Sequence, residues 1–353
     1  MPEVKLLDLS HSSEWGRFLS LLPESQRDVY YSPESYALYQ TDGDGQAFCF
    51  VYQDAGEILL YPFLLNAIAP LGYSLDREYY DIQGAYGYNG FVTSSGDAAF
   101  LSGFHDCFSS FCEQKDIVAE FTRFHPLLRN HVWASPQMKC IYSRKTVLLA
   151  LTPTWEDIWQ NSFSPKNRNV IKKAVKDGVT IEESEDFEMF RQLYDQTMRD
   201  VGAEDFYFFP ESYYEELKRR FHRDIKLYFA MFDRSPIAGS LFFFRGEYAH
   251  YHLSGRDRRF SKIAANNVIL SHAIQKAKEP GCRWFHLGGG TTGEETDPLL
   301  HFKRNFSKET GEFWFGKRVH NQPVYDSLVT QWADRYPESY GNNKFKLLGY
   351  REI

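Results

Sequence analysis

Cysteine is scarce and unpaired in this chain. Five cysteines stand among 353 residues, an odd number with no Cys-x-x-Cys spacing. A disulfide framework is therefore not expected, and Cys49, Cys107, Cys112, Cys140 and Cys282, mostly in apolar segments, read as reduced core thiols. No stretch approaches the roughly 18 apolar residues of a membrane span, and the opening Pro2-Glu3-Val4-Lys5 has no cationic-then-apolar leader. The expectation is a cytoplasmic protein with no transmembrane segment. Positive charge is not in excess: the formal charge is −7, which excludes a general nucleic-acid binder and leaves only local contacts of that kind. Catalytic signatures are missing too. There is no Gly-x-Ser-x-Gly and no cysteine in a nucleophile elbow. Gly288-Gly289-Gly290-Thr291-Thr292-Gly293 lacks the Gly-Lys-Ser/Thr ending of a phosphate loop. His250, His252, His272 and His286 have no matching cysteine or carboxylate set, so no metal is expected.

What is present is apolar and aromatic. Hydrophobic residues make up 43% and aromatics 17%, with 30 Phe and 23 Tyr, enough for packed cores and for grooves lined by rings. The length exceeds the usual limit of about 250–300 residues for one core, so two domains are expected, at 1–152 and 153–322, with a tail 323–353 that packs back on the first. The stretch 237–306 is the most legible. It reads as strand (237–244), tight turn at Arg245-Gly246-Glu247, strand (248–253), basic loop, long helix, strand (283–287) and glycine loop. Ala265, Ile269, Ala273 and Ala277 form one helical stripe that Pro280-Gly281 stops. The first half repeats this order: hairpin 47–65, the tyrosine-glycine loop 79–90, a helix over 97–115 with Phe100, Phe104, Phe108 and Phe111 near one face, then strand 117–124. Between the halves, Ser164-Pro165 opens a helix whose buried stripe is Val170, Ile171, Ala174 and Val175. Its other face carries Lys166, Arg168, Lys172, Lys173 and Lys176. Lys166 and Arg168 fall in the first turn, where they either contact an anion beside the free N–H groups or simply face solvent.

Five stretches together resemble the Fem-type (FemABX) aminoacyltransferases and the acyltransferases around them. They are Arg168-Asn169-Val170-Ile171-Lys172-Lys173-Ala174, Tyr86-Gly87-Tyr88-Asn89-Gly90, Arg123-Phe124-His125-Pro126-Leu127, the strand–helix–strand unit above, and Phe302-Lys303-Arg304-Asn305-Phe306. The resemblance implies an α/β (α+β) fold of two tandem GNAT-like domains with a cleft between them. It implies N-acyl transfer, in which an amine attacks an activated ester or thioester. It implies no resident cofactor, the donor being a co-substrate, aminoacyl-tRNA or acyl-CoA. The acceptor it implies is a peptidoglycan or polysaccharide precursor, and a lipid-linked one would bring a peripheral membrane encounter. Lys303, after Phe302, matches the lysine that lies near the reacting ester in that family, and a fixed cation there would stabilise the oxyanion.

Acyl-CoA enzymes of the wider group place a glycine-rich run before the long helix. The matching run here, Arg256-Asp257-Arg258-Arg259-Phe260-Ser261-Lys262, has no glycine. Arg256, Arg258 and Arg259 are therefore the candidates for donor phosphates, with a tRNA 3′ end as the ligand they would suit. Asp257 leads the candidate bases, with Glu294, Glu295 and Asp297 beside it. Tyr86, Tyr88, Tyr251, Gly288 and Gly289 complete the expected substrate contacts, and Tyr80 and Asp81 share the tyrosine loop. Two other functions stay open: acyl-CoA-dependent N-acetylation of an amino sugar or amino acid, and a catalytically silent binding module.

Overall fold

The computed structural model describes residues 2–204 and 207–353. In chain order the strands are β1 (Glu3–Asp8), β2 (Gln46–Asp54), β3 (Glu57–Ala67), β4 (Tyr80–Gln83), β5 (Val92–Thr93), β6 (Ile117–Arg123), β7 (Lys139–Ala150), β8 (Thr180–Ser184), β9 (Ile225–Phe232), β10 (Ser235–Arg245), β11 (Tyr248–Arg256), β12 (Trp284–Gly289) and β13 (Thr310–Val319). They are shared between two compact units, residues 1–143 with 312–353, and residues 144–311. The expected boundary at 152/153 thus falls at 143/144, because Thr146–Ala150 of β7 pair with β12. The other expected boundary, 322/323, falls at 311/312, because Phe315–Val319 pair with β6.

In the first unit β1, β2, β3 and β4 pair antiparallel in sequence, β4 pairs β6 in parallel, and β6 pairs β13 antiparallel. The β2–β3 hairpin turns on Ala55 (φ 49°) and Gly56 (φ 87°), two consecutive left-handed residues, as a tight turn demands. Asp97 caps the helix Ala98–Gln114 by accepting the Phe100 N–H at 2.9 Å. Spacing of four residues puts Phe100, Phe104 and Phe108 on one stripe of that helix, packed on Phe50, Tyr52 and Tyr61 of the sheet. The C-terminal helix Gln322–Arg335 brings Leu328 and Trp332 to Ile68, Tyr73 and Val118, and Tyr350 joins them.

In the second unit the pairing runs β7-β12-β11-β10-β9-β8, parallel only between β11 and β12. One face is covered by the helices Pro165–Lys176 and Ala265–Ala277. Their Ile171, Ala174, Ile269, Ala273 and Ala277 bury against Ala230, Phe242, Ala249 and Phe285. The helices Phe187–Val201 and Glu211–Phe221 carry the buried Phe190, Tyr194, Leu217 and Phe221, and Phe221 meets Phe243 of β10 edge to face. Among the described residues no helix is long and apolar enough to cross a membrane.

Candidate functional site

The site grows from two irregularities in neighbouring strands of the second unit. β10 and β11 pair Leu241 with Leu253 and then Phe242 with Tyr251, so His252 is an extra residue and bulges β11. β11 and β12 share only three pairs, Tyr248–Trp284, Ala249–Phe285 and His250–His286. Beyond them β11 runs on to Arg256, while β12 shifts register after His286 and follows β7. Gly288 makes that step at φ 79°, a conformation that disfavours a side chain. The two strands therefore diverge past their third pair, which leaves backbone groups of the wedge outside the ladder. His252 lies 3.0 Å from the Tyr213 hydroxyl, and burial, with the charge of His250 adding, pushes its pKa down to about 3. It is a neutral packing residue at working pH.

Lys303 reaches into this wedge. It closes the short helix Pro298–Lys303, which Asp297 caps by accepting Leu299 N–H and Leu300 N–H at 2.9 Å each. The other oxygen of Asp297 accepts from Thr292 N (2.9 Å), Thr291 Oγ1 (2.7 Å) and Thr292 Oγ1 (3.1 Å), so one carboxylate ties the glycine loop to the helix. Lys303 Nζ donates to the Gly289 carbonyl at 2.7 Å and lies 5.7 Å from the Tyr251 ring centre. The ammonium thus touches both diverging strands. A Cβ at Gly288 would stand 2.9 Å from Nζ, and one at Gly290 would stand 2.4 Å from Asp297 Oδ1. The glycines of this loop are there for close approach.

Lys303 is 8% exposed, and burial pushes its pKa down to about 7. The Asp297 carboxylate opposes that fall and the Arg144 guanidinium adds to it. Arg144 itself donates to Gly290 O at 2.9 Å and Thr291 O at 2.7 Å, a second support of the loop from β7. Half-ionised near neutrality, Lys303 is equipped both to present a cation to a developing oxyanion and to exchange a proton.

The other expected residues fall into distinct places. Phe302 meets Phe306 edge to face at 5.7 Å and packs on the core, holding the lysine-bearing turn. Asp257 caps the turn Arg258–Phe260, and the Arg259 guanidinium grips it through bonds of 2.6–3.1 Å. Those bonds hold its pKa below the usual range, which makes it a poor proton acceptor. Glu295 is paired with Lys145 at 2.7 Å and Arg304 at 2.8 Å, and its pKa is likewise lowered. Burial pushes the Asp297 carboxyl up, but the hydrogen bonds from Thr291, Leu300 and Thr292 outweigh it and hold the group low. Arg256 and Arg258 are exposed. Lys166 is exposed, whereas Arg168 donates to the carbonyls of Trp159, Gln160 and Phe163, closing the preceding helical turn. Tyr86 and Tyr88 belong to the first unit, Tyr86 beside Tyr39 and Tyr88 beside Tyr30 and Phe313. Asp81 is fully buried and accepts from Tyr350 Oη (2.8 Å) and Arg351 Nε, so it anchors the chain end.

Residues 163–304 match the family model for an acetyltransferase (GNAT) domain. The fold is similar to that of FemX, with a TM-score of 0.69 at 17% identity over 92% of this chain and 99% of that one. It is also similar to the C-terminal domain of a putative lysylphosphatidylglycerol synthetase from Agrobacterium fabrum (TM-score 0.53, 14% identity, 92% and 95% covered). A tandem GNAT protein from the clavulanic acid biosynthesis pathway gives 0.50 at 10% identity, with 91% and 99% covered. By sequence, no curated protein matches the chain. Residues 163–304 thus carry an acetyltransferase (GNAT) domain, within a chain whose fold is similar to that of FemX over 92% of its length.

Proposed function

We propose that this acyltransferase joins an aminoacyl or acyl group to an amine of a cell-envelope precursor, using the wedge between β11 and β12 as the place of reaction. The observation that carries the reading is Lys303: a buried ammonium, bonded to the Gly289 carbonyl and set over Tyr251 where the strands part. The names FemX and lysylphosphatidylglycerol synthetase, borne by proteins of the same fold, favour an aminoacyl donor and an envelope acceptor.

The acceptor amine attacks the donor carbonyl, forming the C–N bond and placing a negative charge on the carbonyl oxygen. Protonated Lys303 stabilises that oxygen, an interaction made only as the charge develops. Collapse breaks the C–O bond of an ester, or the C–S bond of a thioester, and the proton lost by the attacking amine passes to the leaving group. Asp257, Glu295 and Asp297 are all held at low pKa by their partners, and Lys303 is already protonated when it faces the oxyanion, so the proton is better carried by the substrates themselves.

Exposed Arg256 and Arg258 suit donor phosphates, while Arg259 is already matched by Asp257. The absence of glycines from 256–262 favours an aminoacyl-tRNA 3′ end. Acyl-CoA is the second reading, and one observation favours it: the helix Ala265–Ala277 has no side-chain cap, so although Ala265 N–H donates to Ile263 O, no side chain of the cap competes with a phosphate for the N–H groups that follow. The test is donor consumption by the purified protein, offered a panel of aminoacyl-tRNAs and acyl-CoAs with amine-bearing precursors. Turnover of one donor class, lost by at least about 100-fold in Lys303→Ala at unchanged fold, is expected. Undiminished turnover in that variant removes Lys303 from the mechanism, and no turnover with any donor leaves a binding module.

A further inference from the structure

Three segments of the second unit meet at one buried amide. Asn167 is 1% exposed in the first turn of the helix Pro165–Lys176, and both ends of its side chain are used. Its Oδ1 accepts from Asn267 Nδ2 at 2.8 Å, and its Nδ2 donates to the Asn305 carbonyl at 3.1 Å. A carbonyl can only accept, so the amide has one orientation. Asn267 lies in the first turn of the helix Ala265–Ala277. Asn305 follows Lys303 closely, and its own amide donates to the carbonyls of His301 (3.0 Å) and Phe302 (3.3 Å), closing the turn that aims the lysine. A line of asparagines thus runs from the start of one helix to the base of Lys303.

The joint between the helix Pro165–Lys176 and Asn305 does not need this amide. Ser164 already makes that joint twice: its N–H donates to Asn305 O and its hydroxyl to Asn305 Oδ1, each at 2.9 Å. An apolar side chain of similar volume would fill the space without desolvating an amide. What Asn167 adds is the bond to Asn267. The residue before that one, Asn266, comes within 3.4 Å of the Ser254 hydroxyl. Ser254 and Ser240 hydrogen-bond the Tyr251 hydroxyl, and the ring of Tyr251 lies 5.7 Å from Lys303 Nζ. The first turn of the helix Ala265–Ala277 is therefore tied to both partners of the Lys303–Tyr251 contact.

We infer that Asn167 is a positioning residue: through Asn267 and Asn305 it fixes the helix start that faces the donor relative to the lysine that faces the donor's carbonyl. The inference rests on the acyl-transfer reading for the donor, and on the hydrogen bonds alone for the placement of the lysine. Placement of this kind carries rate, since a displacement of about 1 Å costs up to about 100-fold.

Two readouts test it, one of which needs no substrate. In protein labelled with [13C]lysine, the Cε resonance that disappears in Lys303→Met belongs to Lys303, and its movement with pH reports the titration of the ammonium. The charged groups that face it, Asp297 and Arg144, are untouched in every variant. In Asn167→Leu the lysine is expected to titrate at least about 1 pH unit higher than in wild type, closer to the ordinary 10.5. With the donor that is turned over, kcat is expected to fall about ten- to hundred-fold while KM changes less than about threefold. Asn267→Ala, a half-buried change that leaves the Ser164 joint whole, guards against a leucine variant that does not fold. It is expected to move both readouts in the same direction, and the double variant to lose no more than Asn167→Leu alone. Unchanged Lys303 titration in the folded variants, a shifted titration at unchanged kcat, or rate losses that multiply in the double variant overturns the inference. A shifted titration in a protein that turns over no donor supports the placement of the lysine by Asn167 and removes the acyl-transfer reading instead.

Discussion

Replacing Lys303 by methionine separates what this residue does for stability from what it does for chemistry. The side chain is about the same length and apolar, so it fills the same space without asking for a hydrogen bond. In the native wedge the ammonium titrates at about 7 rather than the 10.5 of a free lysine. The folded form therefore binds fewer protons than the unfolded one between those values, and wild-type stability rises with pH across that window. Below about pH 7 both forms are protonated and the full penalty applies, about 5 kcal/mol for the pKa difference of about 3.5. Between pH 7 and pH 9 about 2–3 kcal/mol of it is lifted. Lys303→Met is free of that term but loses the bond to Gly289, a contribution of about 1 kcal/mol. The variant is expected to be more stable than wild type at pH 6 by a few kcal/mol, to lose most of that advantage by pH 9, and to be catalytically dead. Urea unfolding of both proteins at pH 6, 7, 8 and 9 measures it. A variant less stable than wild type at pH 6, or an advantage that stays constant to pH 9, would refute a desolvated lysine at this position.

Three further outcomes follow from the same geometry. Gly288→Ala adds a Cβ 2.9 Å from Lys303 Nζ at φ 79° and should lower stability by about 1–2 kcal/mol while depressing turnover more than Lys303-independent binding; melting curves and steady-state rates report the two effects. Asp297→Ala removes a cap and leaves the Thr291 and Thr292 donors without their partner, with an expected loss of about 2–4 kcal/mol at pH 7. Because the native Asp297 pKa lies below 3.8, that stabilisation is complete above about pH 4 and fades as pH falls further. The variant and wild type should therefore converge in acid unfolding monitored by circular dichroism. Trp332→Ala, a substitution at 2% exposure, should cost the first unit about 3–5 kcal/mol and lower its melting transition.

The hairpin of β10 and β11, the helix after Ser164 and the phenylalanine helix were legible because each carries its own local signal: a tight turn, a cap, a stripe of period 3.6. Ser164 does cap, accepting Asn167 N–H at 3.1 Å. The bulge at His252 was not legible, since alternation across 248–253 is unbroken in sequence and only the pairing partner reveals the extra residue. The burial of Lys303 was equally hidden. Phe-Lys-Arg-Asn-Phe reads as a turn with two surface cations, and what encloses the lysine is a glycine loop about a dozen residues earlier and a strand some fifty residues away. Arg168 read by position as either an anion contact or a solvent-facing cation, but the carbonyls that claim it belong to a helical turn with no sequence mark. The strand Thr180–Ser184 was missed because it sits at the sheet edge and buries almost nothing.

The first unit is discontinuous in the chain: residues 1–143 wait for 312–353, and 144–311 lie between. Leu328, Trp332 and Tyr350 complete a core begun by Ile68, Tyr73 and Tyr79, and Arg351 supplies the cation that Asp81 needs in its buried seat. During synthesis, then, the later-made unit has all its residues available before the earlier-made one does. On the ribosome the usual order of maturation is reversed, and the amino-terminal unit carries an open seam and an uncompensated carboxylate until the last thirty or so residues emerge.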